Sequence, residues 1–377
     1  MEKFSAFRDP GTGIQPFLSP VPPSETDVLA TAFLPIRHLI GTLRTSLVLV
    51  LALVYLILVR GVCLILTPIP SVSRTVTRLC TALLARLALC LIGFWWIPAE
   101  LVTRKRGKAP ISSWRPAAGD LIVSNWVSWV EILWLAYRYD PIFVLPVSNA
   151  AVIPVSSTPG DASISYTPGR RTGTGSAAIS SSQRVMSTRR PILGFKVVSL
   201  LSMIRLTGQT PQSSSTELRS IEEIRRSSDR PLVIFPECTT SNGRGLLRFA
   251  AIFKGVDVPP KGYNIFVMCV RYDPPSSLKP TLSYSVPSTS FTPLRHLYNV
   301  ATALPPQSIS IRLLSLSDSP SSQLFMVSEV VPSPGPDDDV LSEACAVLIA
   351  QIGKMKRVGL GWEDKAAFLD FYRGRAK

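Results

Sequence analysis

Two long apolar runs near the N-terminus constrain this chain more than any other feature. The first extends from Leu47 to Leu66 and is interrupted only by Arg60; the second extends from Leu79 to Ile97 and is interrupted only by Arg86. Each is about 20 residues, the length of a helix across a hydrocarbon core. An arginine at mid-bilayer costs roughly 2.5–3.5 kcal/mol on insertion scales, so its position matters. The intervening TPIPSVSRTVTR carries prolines and predicts a turn. Arg60 and Arg86 flank that turn at similar distances, so at ~1.5 Å rise per residue they share one depth, where long side chains snorkel towards headgroups. The expectation is an N-terminal membrane-embedded helical hairpin over residues 37–100, with both ends on one face. Arg37 and Arg44 before it, and Arg104, Lys105, Arg106, Lys108 and Arg115 after it, put those ends in the cytosol. Two buried core helices of a soluble protein are the alternative. A monotopic hairpin and a double crossing share this pattern.

Composition agrees with a membrane partner. Only 17% of the 377 residues are charged and 46% are hydrophobic, against about 25% charged in soluble domains. The net charge of +15 suits anionic lipid headgroups. Nucleic acid is the weaker match, because no recognition module is present. Cys63, Cys80 and Cys90 lie in the apolar runs, and no C-x-x-C or His/Cys pairing occurs; this excludes the zinc motifs and a secreted disulfide framework, and no metal site is expected. Segment 1–36 is polar, without the leading apolar run of a signal peptide. Residues 154–190 are rich in Ser, Thr, Gly and Pro and are expected to be a disordered insertion.

Beyond Gly119 the pattern becomes strand–helix–strand: Asp120–Ser124, Ser128–Tyr137 and Ile142–Val147. Phe195–Leu206 is a short apolar segment, either a core helix or one resting on lipid. Ser215–Ser227 predicts an amphipathic helix with acids early and arginines late. Leu232–Phe235 and Asn264–Val270 predict strands, Pro274–Pro306 an irregular stretch, and Asp338–Arg357 a helix stopped by Gly359. Trp362–Tyr372 predicts a last helix, docked on the core or presented as a surface contact. The whole is an α/β domain, a mixed sheet flanked by helices, over residues 101–153 and 191–377.

Two loops follow predicted strands, where α/β folds place their sites. One is Ser124-Asn-Trp-Val-Ser-Trp-Val-Glu131; the other is Phe235-Pro-Glu-Cys-Thr-Thr-Ser-Asn-Gly-Arg-Gly245. The pair resembles the signature blocks of the glycerolipid acyltransferase superfamily. The opening MEKFSAFRDPGTGIQPF and the order of hairpin, first block, FPE block and basic helix are similar to a fungal branch of it. Those are lysophosphatidic acid acyltransferase-like proteins, also described as vacuolar protein sorting-associated. The resemblance implies an acyltransferase-like fold at the endoplasmic reticulum membrane or a lipid droplet, with its α/β domain facing the cytosol. It implies acyl transfer from acyl-CoA, a co-substrate rather than a bound cofactor, to a lysophospholipid hydroxyl, with lysophosphatidic acid as the acceptor.

The family's first block is Asn-His-x-Ser-x-x-Asp, its histidine being the general base. Asn125 and Ser128 match it; Trp126 stands at the histidine and Glu131 at the aspartate. An indole cannot accept a proton. Glu131 is either a base raised towards neutrality by burial or the returning acid of a Ser128-x-x-Glu131 capping box. The second block is Phe-Pro-Glu-Gly-Thr-Arg-Ser, which the resemblance implies binds the acceptor phosphate. Glu237, Thr239 and Ser241 match, Cys238 replaces glycine and Thr240 replaces the phosphate-binding arginine. Arg244 is the expected stand-in, with Arg248 in reserve and the backbone N–H groups of the Gly-rich turn as an anion cradle; a solvated turn arginine is the alternative. Cys238 is a nucleophile or, with no histidine nearby in sequence, a small buried residue. Phe266–Tyr272 resembles the final block, with Met268 where proline is usual. His38 and His296 lack motif context and are taken as structural. Trp126 also admits a different class of function: an acyltransferase fold without catalysis, binding lipid or organising a membrane complex. A third reading, a lipid-droplet coat protein, needs only the hairpin and its basic collar.

Overall fold

The computed structural model describes residues 3–22, 31–62, 70–104, 114–148, 189–211, 218–331, 335 and 338–374. In chain order its elements are helix α1 (Leu34–Tyr55), continued by a π-helical turn over Leu56–Val62, helix α2 (Pro70–Leu91), strand β1 (Ala99–Val102), β2 (Leu121–Ser124), α3 (Val130–Tyr139), β3 (Ile142–Ser148), β4 (Ile192–Val198), α4 (Leu200–Leu206), α5 (Ile221–Ser227), β5 (Leu232–Ile234), β6 (Gly245–Leu246), β7 (Ile265–Tyr272), α6 (Leu294–Ala301), β8 (Ile309–Leu314), α7 (Val340–Gly353), β9 (Lys356–Arg357) and α8 (Trp362–Tyr372).

Strands with no polar face must be covered on both sides. LIVS of β2 and LVI of β5 are such strands, and they sit near the middle of a seven-stranded mixed sheet ordered β1-β8-β7-β2-β5-β3-β4. The central β7, β2, β5 and β3 are parallel, with Leu121 opposite both Leu232 and Ile265. β8 runs antiparallel to β7 and β4 antiparallel to β3. Alternation sends Ile122, Val233 and Phe266 into one core with residues of α2, α3, α4 and α6. Leu121, Val123, Leu232 and Ile265 enter the opposite core with α5 and α7.

The helical hairpin is corrected. Among the described residues one helix, Leu34–Val59, is long and apolar enough to cross a membrane, with mean hydropathy 2.3 and almost none of it buried. The second run does not form such a span. Its helix begins at Pro70, carries Arg74, Arg78 and Arg86, and ends at Leu91; Gly93 follows at φ +103°. Leu84, Ala85, Ala88 and Leu89 are buried, the last three of them in the main core, so α2 is a layer of the α/β fold. Arg86 does not snorkel: its guanidinium donates to the carbonyls of Phe94 (2.8 Å) and Trp95 (2.5 Å), ending the segment. α1 is also tied to the domain. Arg37 donates to Ser277 O (3.0 Å), Arg44 to Ala303 O (2.6 Å), and His38 pairs with Tyr298 (2.9 Å). A Cβ on Gly41 would lie 2.6 Å from Thr302 Cγ2, so a side chain there would force Thr302 to move. The expected turn over Thr67–Ile69, the basic residues Lys105, Arg106 and Lys108, and the insertion as far as residue 188 lie outside the described residues.

Other expectations shift. β1 and β8 went unforeseen, and β1 begins inside the segment assigned to the hairpin. Phe195–Val198 belongs to β4, not to a helix, and only Leu200–Leu206 is helical. α5 starts at Ile221, capped by Ser220 Oγ on Glu223 N–H (3.1 Å). The stretch Pro274–Pro306 contains α6. α7 stops at Lys354, in the left-handed region at φ 49°, and not at Gly359. α8 docks on the core. The polar N-terminal segment is part of the fold: Phe7 and Phe17 are buried with Leu247, Val358, Leu360 and Phe368 in a satellite core. Asp9 Oδ1 accepts Gly359 N–H (2.9 Å).

Deleting a buried phenylalanine side chain costs about 3–5 kcal/mol. Phe17→Ala is therefore expected to lower the unfolding free energy, measured by denaturant titration of the purified protein, by that amount, with a correspondingly lower midpoint. A midpoint equal to wild type would show the N-terminal segment to be peripheral.

Candidate functional site

The site begins where β2 ends and β7 continues. Past Ser124, Asn125 takes over the ladder with its side chain: Nδ2 donates to Val270 O (2.9 Å) and Oδ1 accepts Val270 N–H (2.7 Å). Asn125 thus positions the loop and touches no open space. Glu131, in the first turn of α3, is fully buried. Its Oε1 accepts the N–H groups of Val127 (2.5 Å) and Ser128 (2.8 Å), and its Oε2 accepts the Tyr272 hydroxyl. The returning half of the expected capping box is therefore present, while Ser128 Oγ stands 3.5 Å from Val130 N. Burial pushes Glu131 up to about 7, against the pull of Tyr272 and the two N–H donors.

Glu237 joins the two blocks. One carboxylate oxygen accepts Trp126 N–H (2.8 Å) and the other Leu247 N–H (3.0 Å). Burial raises it to about 8; the N–H donors and Lys365 oppose that and Glu131 adds to it. Ser241 N–H donates to Trp126 O (3.1 Å), a second tie between the loops. The Trp126 ring stacks on Phe235 at 5.0 Å between centroids. Its indole nitrogen is buried without a partner among the described residues.

The second block is filled by its own hydrogen bonds, which corrects the anion cradle. Asn242 N–H donates to Pro16 O, Gly243 N–H to Ser241 Oγ (3.2 Å) and Arg244 N–H to Asn242 Oδ1 (3.1 Å). Asn242 Nδ2 reaches Gln15 O (2.7 Å) and Leu18 O (2.9 Å) of the N-terminal segment. Gly243 sits at φ +73° with Val127 against it, a position that excludes a side chain. Thr239 Oγ1 lies 3.5 Å from Gly208 O, and Thr240 Oγ1 donates to Tyr284 O (2.5 Å). Arg248 pairs with Glu363 (3.3 Å) beside Asp364 (4.0 Å), so it is not a reserve phosphate ligand. Arg244 is exposed. Cys238 occupies the left-handed region at φ 56°; burial pushes its thiol well above the ordinary value, and its Sγ contacts Pro236 O (3.4 Å), as an inert residue would.

Two participants, Lys365 and the side chain of Tyr272, were missed in the sequence, and His296 is structural as expected. Lys365, fully buried, donates to Thr240 O (2.6 Å) and Thr240 Oγ1 (3.1 Å); burial pushes its ammonium well below the ordinary range. Nothing in WEDKAAFLDFY marks it out. Tyr272 closes β7 and is the part-buried member of the Glu131 cluster. His296 accepts Trp129 Nε1–H on Nδ1 (2.9 Å) and donates from Nε2 to Thr281 O (3.1 Å). Both nitrogens are engaged, and burial lowers it to about 4, so it is a neutral structural histidine.

An apolar cavity of about 330 Å³ lies between α1, α2, α4 and α6, with Leu51, Tyr55, Ala88, Leu201, Leu297 and Trp129 in its wall. Leu133, four residues after Trp129, shares this wall. Glu131, two residues from each, lies on the opposite face of α3. A second cavity of about 180 Å³ is bounded by Trp126, Cys238, Val147, Lys196 and Gln209.

Glu131 titrates near 4.5 unfolded and near 7 in the fold. The native state holds its proton over that window, so this group's stabilisation is lost as pH rises through 7. Lys365 and His296, whose protonated forms burial disfavours, work in the opposite sense. The stability difference between wild type and Glu131→Gln isolates the carboxyl. It is expected to move against wild type by about 1.4 kcal/mol per pH unit between pH 4.5 and 7. A pH-independent difference contradicts the burial argument. Among known proteins, no family model, no curated protein and no solved structure matches the chain, so this site is defined by its own geometry.

Proposed function

We propose that the chain is a membrane-associated acyl-lipid protein of the glycerolipid acyltransferase type. The observation that carries this is the apolar cavity of about 330 Å³ whose walls combine the candidate span α1 with α2, α4 and α6. A cavity of that chemistry beside an apolar helix suits an acyl chain supplied from lipid. Its setting would be the endoplasmic reticulum membrane or a lipid droplet, with the α/β domain on the cytosolic side.

On the first reading the protein moves an acyl chain from acyl-CoA to the free hydroxyl of lysophosphatidic acid, giving phosphatidic acid. The hydroxyl oxygen attacks the thioester carbonyl, the new ester C–O bond forms, and the C–S bond breaks. The hydroxyl proton passes through Tyr272 to Glu131 and returns to the departing CoA sulfur. This is supported by the Tyr272–Glu131 hydrogen bond and by a carboxyl that burial holds near 7. On the second reading the fold holds acyl lipid, or organises a membrane complex, without transfer. Trp126 favours it, since an indole supplies no base. So does the placement of Glu131 on the face of α3 away from the cavity.

Purified protein in vesicles with lysophosphatidic acid and labelled oleoyl-CoA separates the two. Transfer predicts phosphatidic acid above the protein-free background, reduced roughly 10²–10⁴-fold in Glu131→Gln with lipid binding kept. Saturable lipid binding without product establishes the second reading. Absence of both overturns the proposal.

A further inference from the structure

The cavity between α1, α2, α4 and α6 is apolar except at one point. Among the described residues lining it, Arg205 is the charged one. It stands in the last turn of α4, and its side chain is exposed. No hydrogen bond or ion pair to another described residue engages its guanidinium. Of the other arginines near the helical layer, Arg37 and Arg44 are engaged on carbonyls at the foot of α1 and Arg86 on the carbonyls of Phe94 and Trp95. Arg295 on α6 and Arg244 of the second block are exposed, but neither lines this cavity. Arg248, in the second block, is paired with Glu363. Phe291, 84% exposed, also lines the cavity, and the exposed leucines of α1 give its outer side an apolar surface.

A guanidinium binds a carboxylate or phosphate through two parallel hydrogen bonds. An apolar interior gains free energy for each methylene removed from water. One cavity offering both fits a molecule with one chain and one negative head. We infer that this cavity takes a single-chain amphiphile with an anionic headgroup, its chain among Leu51, Ala88 and Leu297 and its head on Arg205. The inference rests on the acyl-lipid reading and adds a headgroup preference to it. It moves anion recognition from the second block, where Thr240 replaces the expected arginine, to α4. A fatty-acid carboxylate and a lysophosphatidate phosphate share this chemistry.

The test is equilibrium binding of three labelled probes, dodecanoate, lauroyl lysophosphatidate and neutral monolauroylglycerol, to the full chain in nanodiscs without acyl-CoA. Wild type is expected to bind the better anionic probe about tenfold more tightly than the neutral one, equivalent to about 1.4 kcal/mol. Which anion leads identifies the source, a fatty acid or a lysophospholipid. Arg205→Gln is expected to erase the preference and leave monolauroylglycerol binding unchanged, while Arg205→Lys keeps part of it. Ala88→Phe, which fills the cavity, is expected to weaken all three. Equal binding of neutral and anionic probes, or a preference that survives Arg205→Gln, overturns the headgroup assignment and leaves the acyl-lipid reading standing. Unchanged binding in Ala88→Phe, or no binding of any probe, overturns both.

Discussion

The Glu237 carboxylate holds the two halves of the candidate site together. Its two oxygens accept backbone N–H groups from Trp126 of the first block and from Leu247, just beyond the second. A side chain that substitutes for a missing strand partner in this way must be an acceptor at both ends, and a carboxylate is the natural one. Glu131 repeats the device one loop away, on Val127 and Ser128. Two buried acids therefore serve the backbone first. Any chemistry asked of Glu131 has to coexist with that duty, which is why its hydrogen bond to Tyr272 matters more than its charge alone.

The candidate membrane span rests on different physics. A helix crosses lipid when it has no better place for its apolar face. α2 has one, against the sheet, and its arginines find carbonyls or acids close by, as Arg74 does with Asp229 at 2.6 Å. α1 keeps an apolar outer face along most of its length, while its first turns are fastened to α6 and the loop after it. The exposed apolar surface of the candidate span is thus one helix wide and tied by hydrogen bonds to the α/β domain.

Much of the centre of the fold was legible in the sequence. LIVS, LVIF and NIFVMCV are short unbroken apolar runs, and each is a strand with both faces covered. The outer strands were not. β8 reads ISIRLL between Pro/Ser-rich flanks, and its Arg312 is used on Ile352 O (2.8 Å), a tertiary contact with no local trace. β4 merged with α4 into one apolar segment because the break, Ser199, looks like any helical serine until its cap on Ser202 is seen. At the site, the convergence of the two blocks followed from their motifs. The occupation of their N–H groups did not, since Pro16, Gln15 and Leu18 come from a segment whose polar composition gave no sign of packing.

That N-terminal segment has a consequence for biosynthesis. Phe7 and Phe17 pack against Phe368, near the far end of the chain. Residues 3–22 are synthesised before α8, so Phe7 and Phe17 have no Phe368 to pack against until that helix is made. The clasp of Gln15 and Leu18 over Asn242 belongs to the same segment, so its packing partners are in place only after residues 362–372 have been added.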